Sequence, residues 1–134
     1  MESITKTLIK SGDRLDFLPK HVGRKFLQYE QTIYRYMDEH CEEYTGGMWD
    51  YYTLSNGGFF MAWDADQARL KVTQPMNYYE GEMSAEAASI GMNLYVQNAF
   101  AHQVDAERFS EAFHALRDFA IQHPEAAQIM AFID

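Results

Sequence analysis

The chain has 134 residues, of which 47% are hydrophobic and 23% charged, and its formal net charge is −9. These values are typical of one globular domain, predicted here over residues 1–134, and the single cysteine excludes an internal disulfide framework. The sequence has no apolar run near the roughly 20 residues of a membrane helix, and its N-terminus lacks a signal-peptide core. We therefore expect a soluble, cytoplasmic protein with no membrane partner.

The charge is distributed unevenly along the chain. Residues 1–35 carry seven Lys or Arg and four Asp or Glu, a balance of +3, whereas residues 36–134 carry four and sixteen, a balance of −12. Because an acidic body repels the phosphates of nucleic acids, we expect no stable direct DNA binding.

The first third of the chain predicts an arm followed by a helix. Residues 1–18 are predicted to form an irregular N-terminal arm. Pro19 suits the first turn of a helix, and residues 20–44 predict one long helix that Gly46 and Gly47 end. Its apolar stripe comprises Phe26, Ile33, Met37, Cys41 and Tyr44.

The stretch GGMWDYYTLSNGGFFMAW, residues 46–63, predicts a β-hairpin with strands at 48–55 and 59–64. A two-residue turn is expected at Asn56-Gly57 or Gly57-Gly58, because these residues tolerate positive φ. Either turn gives one face with Tyr52, Leu54, Phe59, Met61 and Trp63. The other face then carries Trp49, Tyr51, Thr53, Ser55 and Phe60. Only a three-residue loop would change the face of one strand.

The rest of the chain predicts a third strand and further helices. Residues 68–75 alternate like a strand that Pro75 ends, and we expect this strand to extend the hairpin into a meander. Residues 77–83 are predicted to be a loop. The whole is predicted to be an α+β fold, in which a small antiparallel three-stranded sheet (hairpin plus third strand) packs with about four helices.

Three helices are predicted in the C-terminal half. Ser84 and Asp105 are good N-caps for two of them, and Pro124 begins a short third. The helix after Ser84 is apolar almost all round, which is typical of a central, buried helix. Gly91 within it permits a close approach of a neighbouring element.

Patterns for catalysis and metal binding are missing from the sequence. The chain has five histidines and Cys41, but no HExxH, CxxC or His/Cys cluster with ligand spacing. Cys41 lies in the apolar stripe, where a cysteine is usually a core residue. We therefore expect no catalytic residue, no metal, no cofactor and no enzymatic activity.

The densest acidic cluster consists of Asp38, Glu39, Glu42 and Glu43. On the predicted helix, residues four apart stack, so these like charges repel one another. The cluster is either a solvated surface near the helix end or a patch that imitates DNA phosphates and docks on a basic partner.

Three long blocks of the sequence resemble the ArdB/KlcA antirestriction family. They are RLDFLPKHVGRKFLQYEQTIYRYMDEHCEEYTGGMWDYYTLSNGGFFMAW (14–63), GEMSAEAASIGMNLYVQNAFA (81–101) and HPEAAQIMAFID (123–134). The resemblance implies a protein of plasmids and other mobile elements. Such a protein relieves restriction by type I restriction-modification enzymes when foreign DNA enters a bacterial host. The resemblance does not imply any agreed set of catalytic residues.

The resemblance leaves two main hypotheses for the mechanism. The leading one is an interaction protein that blocks DNA cleavage by the type I restriction-modification complex, directly or through a host factor, and leaves methylation largely intact. Its candidate partner-binding residues are Arg14, Glu30, Trp49 and Tyr51. The alternative is an acidic DNA mimic that binds the DNA-recognition part of the enzyme through Asp38, Glu39, Glu42 and Glu43. A hydrolase is a third hypothesis, favoured only by scattered histidines.

Overall fold

The computed structural model describes residues 3–134, which form five α-helices and two antiparallel sheets. The strands are β1 Lys6–Leu8, β2 Trp49–Leu54, β3 Phe59–Trp63, β4 Leu70–Gln74 and β5 Tyr79–Met83. The helices are α1 Arg14–Val22, α2 Phe26–His40, α3 Ala85–Gln103, α4 Ala106–Gln122 and α5 Ala126–Ile133. This confirms the predicted α+β class and the small antiparallel three-stranded sheet. Within the described residues, no helix has both the length and the apolarity to cross a membrane.

The third strand of the larger sheet is not the predicted one. The sheet order is β1-β2-β3, while β4 pairs with β5 in a separate two-stranded ribbon. The prediction of a loop at 77–83 is therefore wrong. A one-turn 3-10 helix at Pro75–Asn77 reverses the chain, so β4 pairs with the next segment instead of with the hairpin. The strand character of β5 was hidden because Gly81 and two glutamates have low β-propensity.

The N-terminal segment is ordered, which corrects the prediction of an irregular arm over 1–18. Strand β1 runs antiparallel to β2, with Thr7 opposite Thr53. Pro19 lies inside α1 and not in the first turn of a longer helix. Gly23 adopts a φ of +87° after α1, so the predicted single helix over 20–44 is divided into α1 and α2.

The hairpin turns through a three-residue loop, 55–57. Leu54 N–H donates to the Gly58 carbonyl at 2.8 Å, and Gly57 adopts a φ of +91°. Thr53 therefore pairs with Phe59, and both predicted two-residue turns are wrong. One strand changes face as a result, so Trp49 and Tyr51 share a face with Met61.

Helix α3 is central and buried, as predicted, but three of its buried residues are polar. Ser89, Asn93 and Gln97 are spaced by four residues and contact the edge of β3 that β2 leaves free. Asn93 accepts from Met61 N–H at 3.2 Å and donates to Met61 O at 2.8 Å. These side chains take the place that a fourth strand would occupy, because buried backbone groups require partners.

The predicted helix caps and the close approach at Gly91 are confirmed. The Ser84 hydroxyl accepts from Ala87 N–H at 3.1 Å, and the Asp105 carboxylate accepts from Arg108 N–H at 3.1 Å. A Cβ atom on Gly91 would lie 2.8 Å from the Phe132 ring, so α5 packs directly against α3 at this residue.

Candidate functional site

Arg14, the first residue of α1, joins the N-terminal segment to the hairpin. Its guanidinium donates a hydrogen bond to the Trp49 carbonyl and lies 4.7 Å from the centroid of the Tyr51 ring. It also lies 3.6 Å from a carboxylate oxygen of Asp50. A planar guanidinium suits these contacts because it can stack on a ring while its edge donates hydrogen bonds.

Trp49 is a core residue of the hairpin. Its side chain is 3% exposed, and its indole N–H donates to the Tyr44 hydroxyl at 3.2 Å. Its ring centroid lies 5.5 Å from that of Tyr34. Trp49 can therefore position the residues around Arg14, but its side chain presents almost no surface to a partner.

Tyr51 and Glu30 complete the site around Arg14. The Tyr51 ring stacks on Phe17 at a centroid distance of 4.9 Å. Burial raises the pKa of the Tyr51 hydroxyl, and the nearby negative charge of Glu30 raises that pKa further. Burial and then Glu30 also raise the pKa of the Tyr34 hydroxyl, so both phenols stay neutral.

The structure thus brings the predicted residues Arg14, Glu30 and Tyr51 together, with Trp49 beneath them. We call the five residues Arg14, Glu30, Tyr34, Asp50 and Tyr51 the arginine cluster. Tyr34 and Asp50 were not predicted. Tyr34 follows Glu30 by four residues on a predicted helix, so helical periodicity could have placed it on the same face. The cluster contains one cation, two carboxylates and two neutral phenols, so it can form both ionic and hydrogen-bonding contacts.

The predicted acidic patch is only partly available to a partner. Asp38, Glu39 and Glu42 are exposed, but Glu43 accepts from Lys71 N–H at 3.2 Å. Helix α2 ends at His40, so the stacking expected between residues 38 and 42 and between 39 and 43 does not form. The helix ends early because Cys41 is extended and bridges Val72 on β4.

Cys41 has the properties of a core residue. It is 2% exposed, and burial raises the pKa of its thiol to about 11. The thiolate is the nucleophilic form, so this cysteine is unreactive near neutral pH. Within residues 3–134, no three His, Cys, Asp or Glu side chains are grouped to hold a metal ion.

A cleft of about 520 Å³ opens between α1 and α4. Arg14 does not line it. Its charged lining comprises Lys20, Asp105, Glu107, Arg108 and Glu111. Burial, followed by the charges of Lys20 and Arg108, lowers the pKa of His21 at its edge. The lining contains both cations and carboxylates, so its charge alone does not select an anionic or a cationic ligand.

Comparison with known proteins gives the family. A family model described as antirestriction protein matches residues 42–134. Antirestriction protein KlcA of Escherichia coli is 38% identical over 138 residues, which cover 99% of this chain and 96% of that protein. The chain belongs to the ArdB/KlcA antirestriction family. YfjX of Escherichia coli strain K12 is 40% identical over 134 residues, which cover 98% of this chain and 88% of that protein.

The similarity to the ArdB/KlcA family extends over the N-terminal part that carries Arg14 and Glu30. A solved structure from work on the KlcA and ArdB proteins matches with a TM-score of 0.90 at 39% identity. The match covers 100% of this chain and 99% of that one. That work describes a novel fold and antirestriction activity against Type I DNA restriction systems in vivo but not in vitro. The whole described chain, including the arginine cluster, is thus built on the ArdB/KlcA fold.

Proposed function

We propose that this protein relieves DNA cleavage by type I restriction-modification systems and so protects incoming mobile DNA. The observation that carries the proposal is the full-length match, at 39% identity, to a structure from work that describes this activity for KlcA and ArdB. The site of action is the cytoplasm of the bacterial host, where restriction enzymes meet incoming DNA.

The proposed mechanism is non-enzymatic binding through the arginine cluster, which leaves methylation largely intact. The partner is the restriction-modification complex itself or a host factor that acts on it. Activity of KlcA and ArdB in vivo but not in vitro supports a requirement for a component of the living cell. The acidic body supports a protein partner over direct DNA binding, because like charges repel.

A restriction assay in cells tests the arginine cluster. Arg14→Ala removes the ring contact and the two polar contacts, and we expect a loss of protection of at least about tenfold, as for a binding hot spot. Arg117→Ala, at an exposed arginine of α4, is the matched control and should protect fully. Circular dichroism of both purified variants must show the wild-type fold. If the folded Arg14→Ala variant protects fully, the arginine cluster is not part of the functional surface. If the wild-type protein itself gives no protection, the proposed function is wrong.

The DNA-mimic alternative is tested on the exposed carboxylates alone. The triple variant Asp38→Lys, Glu39→Lys and Glu42→Lys changes only exposed residues. It keeps the hydrogen bond from the Lys71 backbone N–H to the Glu43 carboxylate, so we expect the fold to be kept. A mimic would lose both protection and inhibition of methylation in this variant, since its binding depends on charge. We expect protection to be retained; its complete loss would favour the mimic.

A further inference from the structure

A second cleft, of about 390 Å³, lies between the connection from α1 to α2 and the connection from α3 to α4. Its charged lining comprises Arg24, Lys25, Asp105 and Arg108, and we call it the basic cleft. The lining thus has three cations and one carboxylate, although the whole chain has a net charge of −9. This local excess of positive charge distinguishes the basic cleft from the acidic body around it.

Arg108 is held in place in the lining of the basic cleft. Its guanidinium donates to the His21 carbonyl at 3.1 Å and lies 3.7 Å from a carboxylate oxygen of Asp105. It also packs against Gly23, where an added Cβ would lie 3.3 Å from the Arg108 Cζ atom. A cation that the fold already fixes loses little conformational entropy when it binds a ligand.

The other two cations are not neutralised by the protein itself. Arg24 and Lys25 are exposed, and among residues 3–134 neither forms an ion pair with a carboxylate. Helix α2 begins directly after them, with no side-chain cap and no acidic residue in its first turn. The partial positive charge at the start of this helix adds to the charge of the two side chains. A negatively charged ligand can therefore neutralise this part of the surface.

The basic cleft also has apolar surface. Phe109 in its lining is buried, whereas Val104 is 39% exposed beside the charged residues. An inorganic anion would pair with the cations but would leave Val104 in water. A peptide segment with both acidic and apolar side chains would pair with the cations and cover Val104.

The neighbouring surface disfavours a nucleic acid as the ligand. The cleft of about 520 Å³ shares Asp105 and Arg108 with the basic cleft, and Glu107 and Glu111 also line it. A DNA duplex carries a negative charge about every 1.7 Å along its axis, so it would extend from the basic cleft over these carboxylates. Their repulsion of the phosphates favours a short ligand.

We propose that the basic cleft binds a short acidic peptide segment of a protein partner, with at least one apolar side chain. Carboxylates of the segment would pair with the cations Arg24, Lys25 and Arg108, and the apolar side chain would lie against Val104. The basic cleft includes no residue of the arginine cluster. Peptide binding by the purified protein is therefore measured independently of the proposed antirestriction function.

Fluorescence anisotropy with the labelled peptide Glu-Glu-Leu-Glu-Glu measures binding to the full chain. We expect the dissociation constant to rise with salt, and to rise about three- to thirtyfold in the double variant Arg24→Ala, Lys25→Ala, as for the loss of two exposed ion pairs. The matched control Lys10→Ala, Arg117→Ala removes the same charge from exposed positions elsewhere and should bind like the wild type. Circular dichroism checks that both double variants are folded.

Three further labelled probes test the chemistry of the ligand. Gln-Gln-Leu-Gln-Gln lacks the charge and Glu-Glu-Ser-Glu-Glu lacks the apolar side chain, so both peptides should bind more weakly than Glu-Glu-Leu-Glu-Glu. Equal affinity for either of these peptides, or unchanged affinity of the folded Arg24→Ala, Lys25→Ala variant, would overturn the proposed site, as would no binding of Glu-Glu-Leu-Glu-Glu by the wild type. Tighter binding of a short DNA duplex, lost in the same variant, would identify a nucleic acid as the ligand and contradict the proposal.

Discussion

A single carboxylate, Glu86 in the first turn of α3, connects three distant parts of the chain. It contacts the Lys6 ammonium of β1 and lies 2.8 Å from Nε2 of His123, which follows α4. The His123 hydrogen bond is the main cause of a pKa lowered to about 2; burial opposes this effect and Lys6 adds to it. Glu86 therefore contributes stability that is present above its ordinary pKa of 4.5 and is lost as the pH falls toward about 2.

This linkage predicts how stability depends on pH. Wild type should exceed Glu86→Gln in free energy of unfolding by about 1–3 kcal/mol at pH 5, after allowance for the partial exposure of the carboxylate. The difference should shrink between pH 4.5 and pH 2, because the Glu86 carboxylate of the unfolded chain binds a proton there while that of the folded chain stays ionised until about pH 2. Urea unfolding at several pH values measures it, with the exposed Glu82→Gln as control. Parallel pH curves for wild type and Glu86→Gln would contradict this role.

At Gly91, the side chain of one neighbouring residue leaves no room for a Cβ atom. A methyl group there would lie 2.8 Å from the Phe132 ring, so Gly91→Ala should force α5 from α3 and cost about 1–3 kcal/mol. Gly12→Ala is the matched control, since a Cβ at Gly12 meets no atom within 4 Å. Thermal unfolding of both variants measures the difference. An equal or higher melting temperature for Gly91→Ala than for Gly12→Ala would show that the contact can relax.

At the scale of elements, α3 combines the properties of a core helix and of a sheet neighbour. Its row Ser89, Asn93 and Gln97 bonds the free edge of β3, and the Asn93 side chain alone makes four hydrogen bonds. Asn93→Leu should therefore cost about 2–4 kcal/mol, because Met61 N–H and C=O would be buried without partners. Asn98→Leu, at an exposed asparagine of the same helix, should change stability by less than about 0.5 kcal/mol. Similar melting temperatures for the two variants would contradict the role of α3 as a sheet neighbour.

Local signals in the sequence predict the beginnings of elements better than their partners. Ser84 and Asp105 mark helix starts correctly because an N-cap bonds only its own first turn. The hairpin was also predicted, but its faces depend on one residue in the loop, and Asn56-Gly57-Gly58 is compatible with loops of two or three residues. The pairing of β1 with β2 joins segments more than forty residues apart, and no local pattern in Lys6–Leu8 specifies it.

The sequence analysis named four residues of the candidate site, but it did not predict how they are arranged or buried. Arg14, Glu30 and Tyr51 lie near one another, and their role in binding a partner stays a prediction. The burial of Trp49 could not be read from the sequence, because its exposure depends on packing by Tyr34 and Tyr44 from other elements. The turn at 76–78 was missed for the same reason, because the pairing of β4 with β5 is what makes this turn project.

At the scale of the whole molecule, an acidic body carries the arginine cluster, which we propose to be its partner-binding surface. The arginine cluster lies where α1 meets the hairpin. A protein that acts by binding through such a surface should block cleavage without occupying the DNA-binding groove of the restriction enzyme. Methylation, which uses the same DNA-recognition part, should then continue.

The most direct test infects cells that carry a type I system with unmodified phage, with and without this protein, and then measures plating efficiency and the modification of the progeny. The proposed function predicts that the protein raises plating efficiency clearly above that of the same cells without it. It also predicts that the progeny remain modified, so that they plate normally on a second restricting host. Unchanged plating efficiency would contradict the function, and protected but unmodified progeny would contradict the mechanism in favour of a DNA mimic.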